Sequence, residues 1–182
     1  MNIAILALQG AFAEHQQMLT RLGVDTFLVR NLEDWQRPKD ALIIPGGEST
    51  AMTRIMHDEA LFQPIRQAIL DGLPVMGTCA GLILLDDQHL QVMDIRVRRN
   101  AYGRQLGSHQ VTAPVAGLGP VPMVFIRAPY IEQVGPDVEV LSTVGGHIVA
   151  ARQRHMLVTA FHPELTDDTR LHELFLGLIA AT

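Results

Sequence analysis

The chain carries a single cysteine, and the residues around it are those that make a thiol available for chemistry. Cys79 sits in Gly77-Thr78-Cys79-Ala80-Gly81, with a glycine two positions to either side. This is the pattern of a sharp strand-to-helix elbow, with cysteine where many hydrolases place serine. Small flanking residues let such a turn approach its neighbours and hold the nucleophile clear of the sheet. The following helix starts immediately behind the thiol, and its positive end suits negative charge on sulfur. Taken alone, the pentapeptide fits a buried structural cysteine equally well.

A second segment supplies what a nucleophilic cysteine needs. Phe161-His162-Pro163-Glu164-Leu165 follows an apolar run and offers an imidazole base with a carboxylate to orient it. In an extended segment His162 and Glu164 project to one face, so the carboxylate is expected to fix the imidazole tautomer. A third segment, Pro45-Gly46-Gly47-Glu48-Ser49-Thr50, lies between an apolar run and a helical one. The Gly-Gly turn offers unobstructed backbone N–H groups to a developing oxyanion, with Gly47 and Ala80 as the two expected donors. Ser49 also reads as the helix N-cap.

Arg96, Arg98, Arg99 and Arg104 form the densest basic stretch of the chain. They fit a solvated strand edge, a phosphate-binding surface or a bidentate clamp for an α-carboxylate. Arg127, after Phe125-Ile126, is a second clamp candidate. His15, His57, His89, His109, His147, His155 and His172 show no metal-ligand spacing and read as surface or packed imidazoles. Neither a GxxxxGK loop nor a GxGxxG fingerprint is present. No metal and no cofactor are expected.

The elements that must position these side chains follow from the apolar pattern. Ile3 to Leu8, Thr26 to Val29, Ala41 to Ile44 and Pro74 to Gly77 read as buried strands. Ala11 to Leu22, Ser49 to His57, Leu61 to Leu70 and Ala80 to Leu85 read as helices between and after them. Parallel βαβ units follow. From about Ile95 the texture becomes β-rich, with runs at Gln110 to Thr112, Val121 to Ile126, Val138 to Thr143, Ile148 to Arg152 and Met156 to Thr159. These are expected to extend the sheet with antiparallel strands. Gly145-Gly146 marks a hairpin turn, and a helix from about Asp168 to Ala180 closes the chain.

Length and composition bound the rest. With 182 residues, 48% of them hydrophobic, the chain can bury one sizeable core, so a single domain over 1–182 is expected. A net charge of −5 argues against nucleic acid or an anionic membrane as partner. No apolar run suits a membrane span or signal peptide, and a cytoplasmic protein is expected. One cysteine excludes an internal disulfide framework.

Together, the Pro-Gly-Gly-Glu-Ser loop, the cysteine elbow and the late His-Pro-Glu resemble the triad-type, class I glutamine amidotransferases. A narrower resemblance runs through Leu8-Gln9-Gly10 with Glu14-His15, Gly46-Gly47-Glu48-Ser49-Thr50, Arg99-Asn100-Ala101-Tyr102-Gly103-Arg104-Gln105, Phe125-Ile126-Arg127-Ala128-Pro129 and Phe161-His162-Pro163-Glu164-Leu165-Thr166. These segments are similar to the glutaminase subunits of pyridoxal 5'-phosphate synthase, over nearly the whole chain. The sequence departs from that family at Gly107-Ser108-His109-Gln110 and in a short Asp86-Asp87-Gln88-His89 segment.

The resemblance implies a three-layer, flavodoxin-like α/β fold whose mixed central sheet is parallel in its first half and antiparallel in its second. It implies hydrolysis of L-glutamine to glutamate and ammonia by a Cys79, His162 and Glu164 triad. The ammonia would pass to a synthase subunit, the protein partner in a large hetero-oligomer making vitamin B6. Gly47, Glu48, Ser49, Arg99, Ile126 and Arg127 would line the glutamine pocket. Gln9 and His15 would lie toward the synthase partner.

Overall fold

The computed structural model describes residues 1–99 and 108–182. Arg104 and most of the Arg99–Gln105 motif therefore lie outside the described residues.

The first half alternates as the apolar pattern requires. Strands β1 (Asn2–Leu6), β2 (Asp25–Val29), β3 (Ala41–Ile44) and β4 (Val75–Thr78) alternate with helices α1 (Phe12–Arg21), α2 (Leu32–Trp35), α3 (Ser49–Asp58) and α4 (Phe62–Leu70). Helix α5 (Ala80–Leu85) leaves β4 through Cys79. The sequence pattern did not single out α2, a single turn whose N-cap Asn31 accepts a hydrogen bond from Asp34 N at 2.9 Å.

In the second half come β5 (Ile95–Arg98), β6 (Ser108–Val115), β7 (Gly119–Ile126), β8 (Tyr130–Val134), β9 (Glu139–Val144), β10 (His147–Gln153) and β11 (Met156–Thr159). A 3₁₀ turn at Pro163–Leu165 and helix α6 (Arg170–Ala180) complete the chain. Gly145 and Gly146, at φ 58° and 83°, make the turn between β9 and β10, as expected for a Gly-Gly hairpin.

Among the described residues, the main sheet runs β2-β1-β3-β4-β11-β10-β8-β5, with β9 also paired to β10. Its first four strands are mutually parallel, and β10, β9, β8 and β5 join antiparallel. Strand β11 belongs to the second half of the chain but lies parallel to β4, with Thr159 opposite Thr78. The strands β6 and β7 do not extend this sheet. They form their own antiparallel ribbon, in register from Ser108↔Ile126 to Val115↔Gly119. Ser142 Oγ donates to Pro114 O at 2.8 Å and Ala116 N to Leu141 O at 2.8 Å, tying the ribbon to β9.

Every residue of β3, β4 and β11 is buried, so both faces of the sheet's centre are covered. The core that results is continuous. It runs from Ile3 and Ile5 through Ile43, Met76 and Val158 to Phe161, Leu171 and Phe175.

Candidate active site

Strands β3, β4 and β11 are neighbours and run in the same direction, so their C-terminal ends meet at one edge of the sheet. In open α/β sheets this edge is where ligands bind. Each of the three strands releases one of the reactive segments there: Gly46-Gly47 after β3, Cys79 after β4 and His162 after β11.

Cys79 takes up φ 52° and ψ −103°, a conformation rarely adopted by a residue with a side chain. Such strain costs about 1–3 kcal/mol and persists only where the surroundings impose it. Here they do. Cys79 N donates to Thr159 O at 2.8 Å, extending the β4–β11 ladder into the turn. The flanking glycines permit close approach on both sides. A Cβ on Gly77 would stand 2.6 Å from Gly81 O, and one on Gly81 would stand 2.0 Å from Ile44 O. The elbow is therefore wedged against β3 as well as built from β4.

His162 is held from two directions. Its N–H donates to Val124 O of the β7 ribbon at 2.9 Å, and its Nδ1 lies 2.6 Å from Glu164 Oε1. The segment is not extended as the sequence suggested. Pro163, with its fixed φ and no N–H to donate, opens a 3₁₀ turn over Pro163–Leu165, closed by Leu165 N to His162 O at 3.2 Å. The turn, not strand alternation, returns the carboxylate to the imidazole.

Burial opposes a charge on His162. Hydrogen bonds to Cys79 and Glu164 and the charges of both outweigh it, and the imidazole is raised from 6.5 to about 10. Burial raises the Glu164 carboxyl above its ordinary value, although the hydrogen bond and charge of His162 pull it down. With the proton on the imidazole, the 2.6 Å contact is a charge-assisted hydrogen bond.

A cavity of about 400 Å³ opens above these groups. Cys79, Ala80, His162, Gly47, Glu48, Ser49, Arg99, Ile126 and Arg127 all line it, so the expected site residues meet in one place, with Glu164 behind His162. Gly10, Ala11, Ile83 and Leu165 also line it and were not among the expected pocket residues. Ala80 is the first residue of α5, and its N–H belongs to the set that a helix leaves unpaired. Arg127 sits at φ 45°, a second strained position on the cavity wall.

Some expected roles change. Glu48, not Ser49, caps α3: its carboxylate accepts from Thr50 N at 3.2 Å and Ala51 N at 2.6 Å. The Ala51 N–H above all holds this carboxyl below its usual range, with Arg99 contributing. Arg99 Nη2 lies 3.1 Å from Thr50 Oγ1 and 3.5 Å from Glu48 Oε1, on the cavity rim. Gln9 is a support of the loop, since its Oε1 accepts from Glu48 N at 2.6 Å. His15, expected toward a partner, is fully buried within the fold. Its i, i+3 and i+4 companions Met18 and Leu19 put it on the inward face of α1.

Among the described residues no group of His, Cys, Asp and Glu is arranged to hold a metal ion, and no helix is long and apolar enough to cross a membrane. The arrangement brings together a thiol, an imidazole, a carboxylate hydrogen-bonded to it and the first N–H of α5 at a cavity lined by two arginines. Such a set is able to cleave an amide by acyl transfer.

Comparison with known proteins gives the family. The sequence matches the SNO glutamine amidotransferase family over residues 5–180. It is 55% identical to the pyridoxal 5'-phosphate synthase subunit PdxT of Streptococcus pneumoniae (strain CGSP14), over 188 positions covering 98% of this chain and 97% of the relative. Against the subunit of the same name from Methanocorpusculum labreanum it is 56% identical, with both chains fully covered. A crystal structure of a glutamine amidotransferase superposes with a TM-score of 0.91 at 41% identity, covering 98% of each chain. The fold is thus the flavodoxin-like class I architecture anticipated from the motifs, and the chain belongs to the SNO glutamine amidotransferase family.

Proposed function

We propose that this chain is the glutaminase subunit of a pyridoxal 5'-phosphate synthase, hydrolysing L-glutamine with a Cys79, His162 and Glu164 triad and delivering ammonia to a synthase subunit. The observation that carries the reading is the convergence of Cys79 and His162 at the ends of two adjacent parallel strands, with Glu164 2.6 Å from the imidazole. The names of the relatives supply the partner and the assembly. The continuous core supports one domain over residues 1–182. A free nucleophilic thiol suits a reducing compartment, and we place the protein in the cytoplasm.

Glutamine enters with its α-carboxylate toward Arg99 and Arg127 and its side-chain amide over Cys79. The sulfur anion adds to the amide carbon, and the N–H groups of Gly47 and Ala80 take the charge that moves to oxygen. His162 passes its proton to the amide nitrogen, the C–N bond breaks, and ammonia leaves a glutamyl thioester on Cys79. Part of what kept the imidazole protonated was its hydrogen bond to Cys79 and the charge of that side chain. Acylation removes that charge, so the proton affinity of His162 drops when it must act as base. The ring then takes a proton from water, hydroxide attacks the thioester, and glutamate departs as the thiolate and imidazolium re-form.

Ammonia release by the chain combined with the synthase subunit tests the reading. Cys79→Ala is expected to abolish it, and an electrophilic glutamine analogue is expected to label Cys79. Undiminished ammonia release by Cys79→Ala refutes the proposed nucleophile.

A further inference from the structure

The mechanism above uses one oxygen of Glu164. The other, Oε2, is buried and has no hydrogen-bond partner among the described residues. Nε2 of His15 lies 3.5 Å from it. That nitrogen is also 3.1 Å from Thr78 Oγ1, the residue before the nucleophile. On the opposite side of the ring, Nδ1 lies 2.9 Å from Nε2 of His172 on α6. His15, His172 and Thr78 are all fully buried. Burial pushes both histidines down, His172 to about 4 and His15 well below 6.5, the latter helped by the neighbouring His172 and His162. Both rings are therefore neutral at physiological pH, and each carries one N–H.

Which nitrogen carries it follows from either end of the chain of contacts. An ionised carboxylate only accepts, so the nitrogen that faces Oε2 is the protonated one, Nε2 of His15. Its Nδ1 is then a bare acceptor, and His172 Nε2 must donate to it. From the far end, His172 Nδ1 is buried without a partner among the described residues. Orphaned buried N–H groups are rarer than under-used acceptors, which again leaves the hydrogen of His172 on Nε2. The opposite order would set a lone pair against the carboxylate and strand an N–H in the core. At 3.5 Å the approach to Oε2 is longer than a full hydrogen bond. The Thr78 hydroxyl takes the direct bond, and Oε2 feels the positive end of the same N–H.

We propose that His15, oriented by His172, is a positioning residue for the triad: its Nε2–H faces Glu164 Oε2 and keeps Oε1 turned onto His162. The kinetic consequence rests on the glutaminase reading; the hydrogen-bond order does not.

Two measurements separate these. Imidazole ¹⁵N–¹H correlation spectra of the full chain, assigned by the signals lost in His15→Gln and His172→Gln, report each tautomer directly. Both rings should be neutral with hydrogen on Nε2 across roughly pH 6 to 8. Hydrogen on Nδ1 of His15 overturns the proposal whatever the activity. In the complex with the synthase subunit, His15→Leu should lower kcat for glutamine hydrolysis about 10- to 100-fold with KM nearly unchanged. His15→Gln, which returns an N–H near the position of Nε2, should recover most of it. Wild-type kcat in His15→Leu, or equal losses in the two variants, overturns the proposal. Absence of Cys79-dependent activity in the wild-type complex counts instead against the glutaminase reading, and the tautomers still decide the placement of His15.

Discussion

Replacing Gly46 by alanine perturbs the His162 imidazole while leaving the backbone free to adopt its native conformation. Gly46 is not among the residues with positive φ, so alanine meets no backbone strain there. Its Cβ, however, would stand 2.3 Å from Cε1 and 3.0 Å from Nδ1 of His162, and 3.4 Å from Cβ of Cys79. Carbon atoms rest about 3.5–4.0 Å apart, so the ring must recede by more than about 1 Å or the loop must yield.

Neither is free to move. The ring is tied through Nδ1 to Glu164 at 2.6 Å, and Gly46 O accepts from Ala11 N at 3.0 Å. Stretching a hydrogen bond to a charged group costs about 1.5–3 kcal/mol. A 1 Å misplacement of a catalytic group costs about 10²-fold in rate, which corresponds to about 2.7 kcal/mol. The two routes converge on a kcat about 100-fold below wild type in the assembled complex.

A comparator guards against simple unfolding. In Gly81→Ala the added Cβ would stand 2.0 Å from Ile44 O, a backbone atom that cannot swing aside, so that variant should lose far more thermal stability than Gly46→Ala. A Gly46→Ala complex within about threefold of wild-type kcat would refute this account of how the imidazole is held.

Arg99→Ala should raise KM for glutamine by about 10- to 100-fold with a smaller change in kcat, as expected for loss of a charged hydrogen bond to substrate. In Glu164→Gln the amide still accepts from Nδ1 but the charge is gone. The alkaline limb of the kcat/KM profile should then move to lower pH, and an unmoved limb would contradict the role given to Glu164 in holding the His162 proton. Conformational stability, followed by urea unfolding across pH, should fall on both sides of neutrality. The His162 contribution is full below pH 6.5 and disappears as pH rises toward 10. That of neutral His172 is lost as pH falls from 6.5 toward 4, by about 2 kcal/mol at pH 5, and His172→Leu should flatten that acid limb.

Much of this was legible in the sequence because each reactive segment sits at the end of an apolar run. The runs giving β3, β4 and β11 are buried along their whole length, so composition alone marked them. Strand β8 was missed because Tyr130–Val134 buries only Ile131 fully and carries two exposed polar residues. The ribbon β6–β7 was read as part of the sheet, since alternation reports a half-buried strand but not which strand it pairs with. His15 and His172 looked like surface or packed imidazoles. They are distant in sequence, and only the packing of α1 and α6 brings their ring nitrogens to 2.9 Å. Glu48 as a helix cap was hidden by the stronger capping reputation of the serine beside it.

The parallel seating of β11 against β4 has a consequence for the chain as it leaves the ribosome. Cys79 precedes Met156–Thr159 in the chain, so β4 keeps an unpaired edge until that later strand arrives. The Cys79 thiol therefore emerges before the His162 imidazole that it meets in the fold. Over the same interval a buried, apolar strand stands open to mispairing, which is the kind of edge that slows folding and invites aggregation. The meeting of Cys79 with His162 and the closure of the β4 edge are one event, completed when β11 pairs.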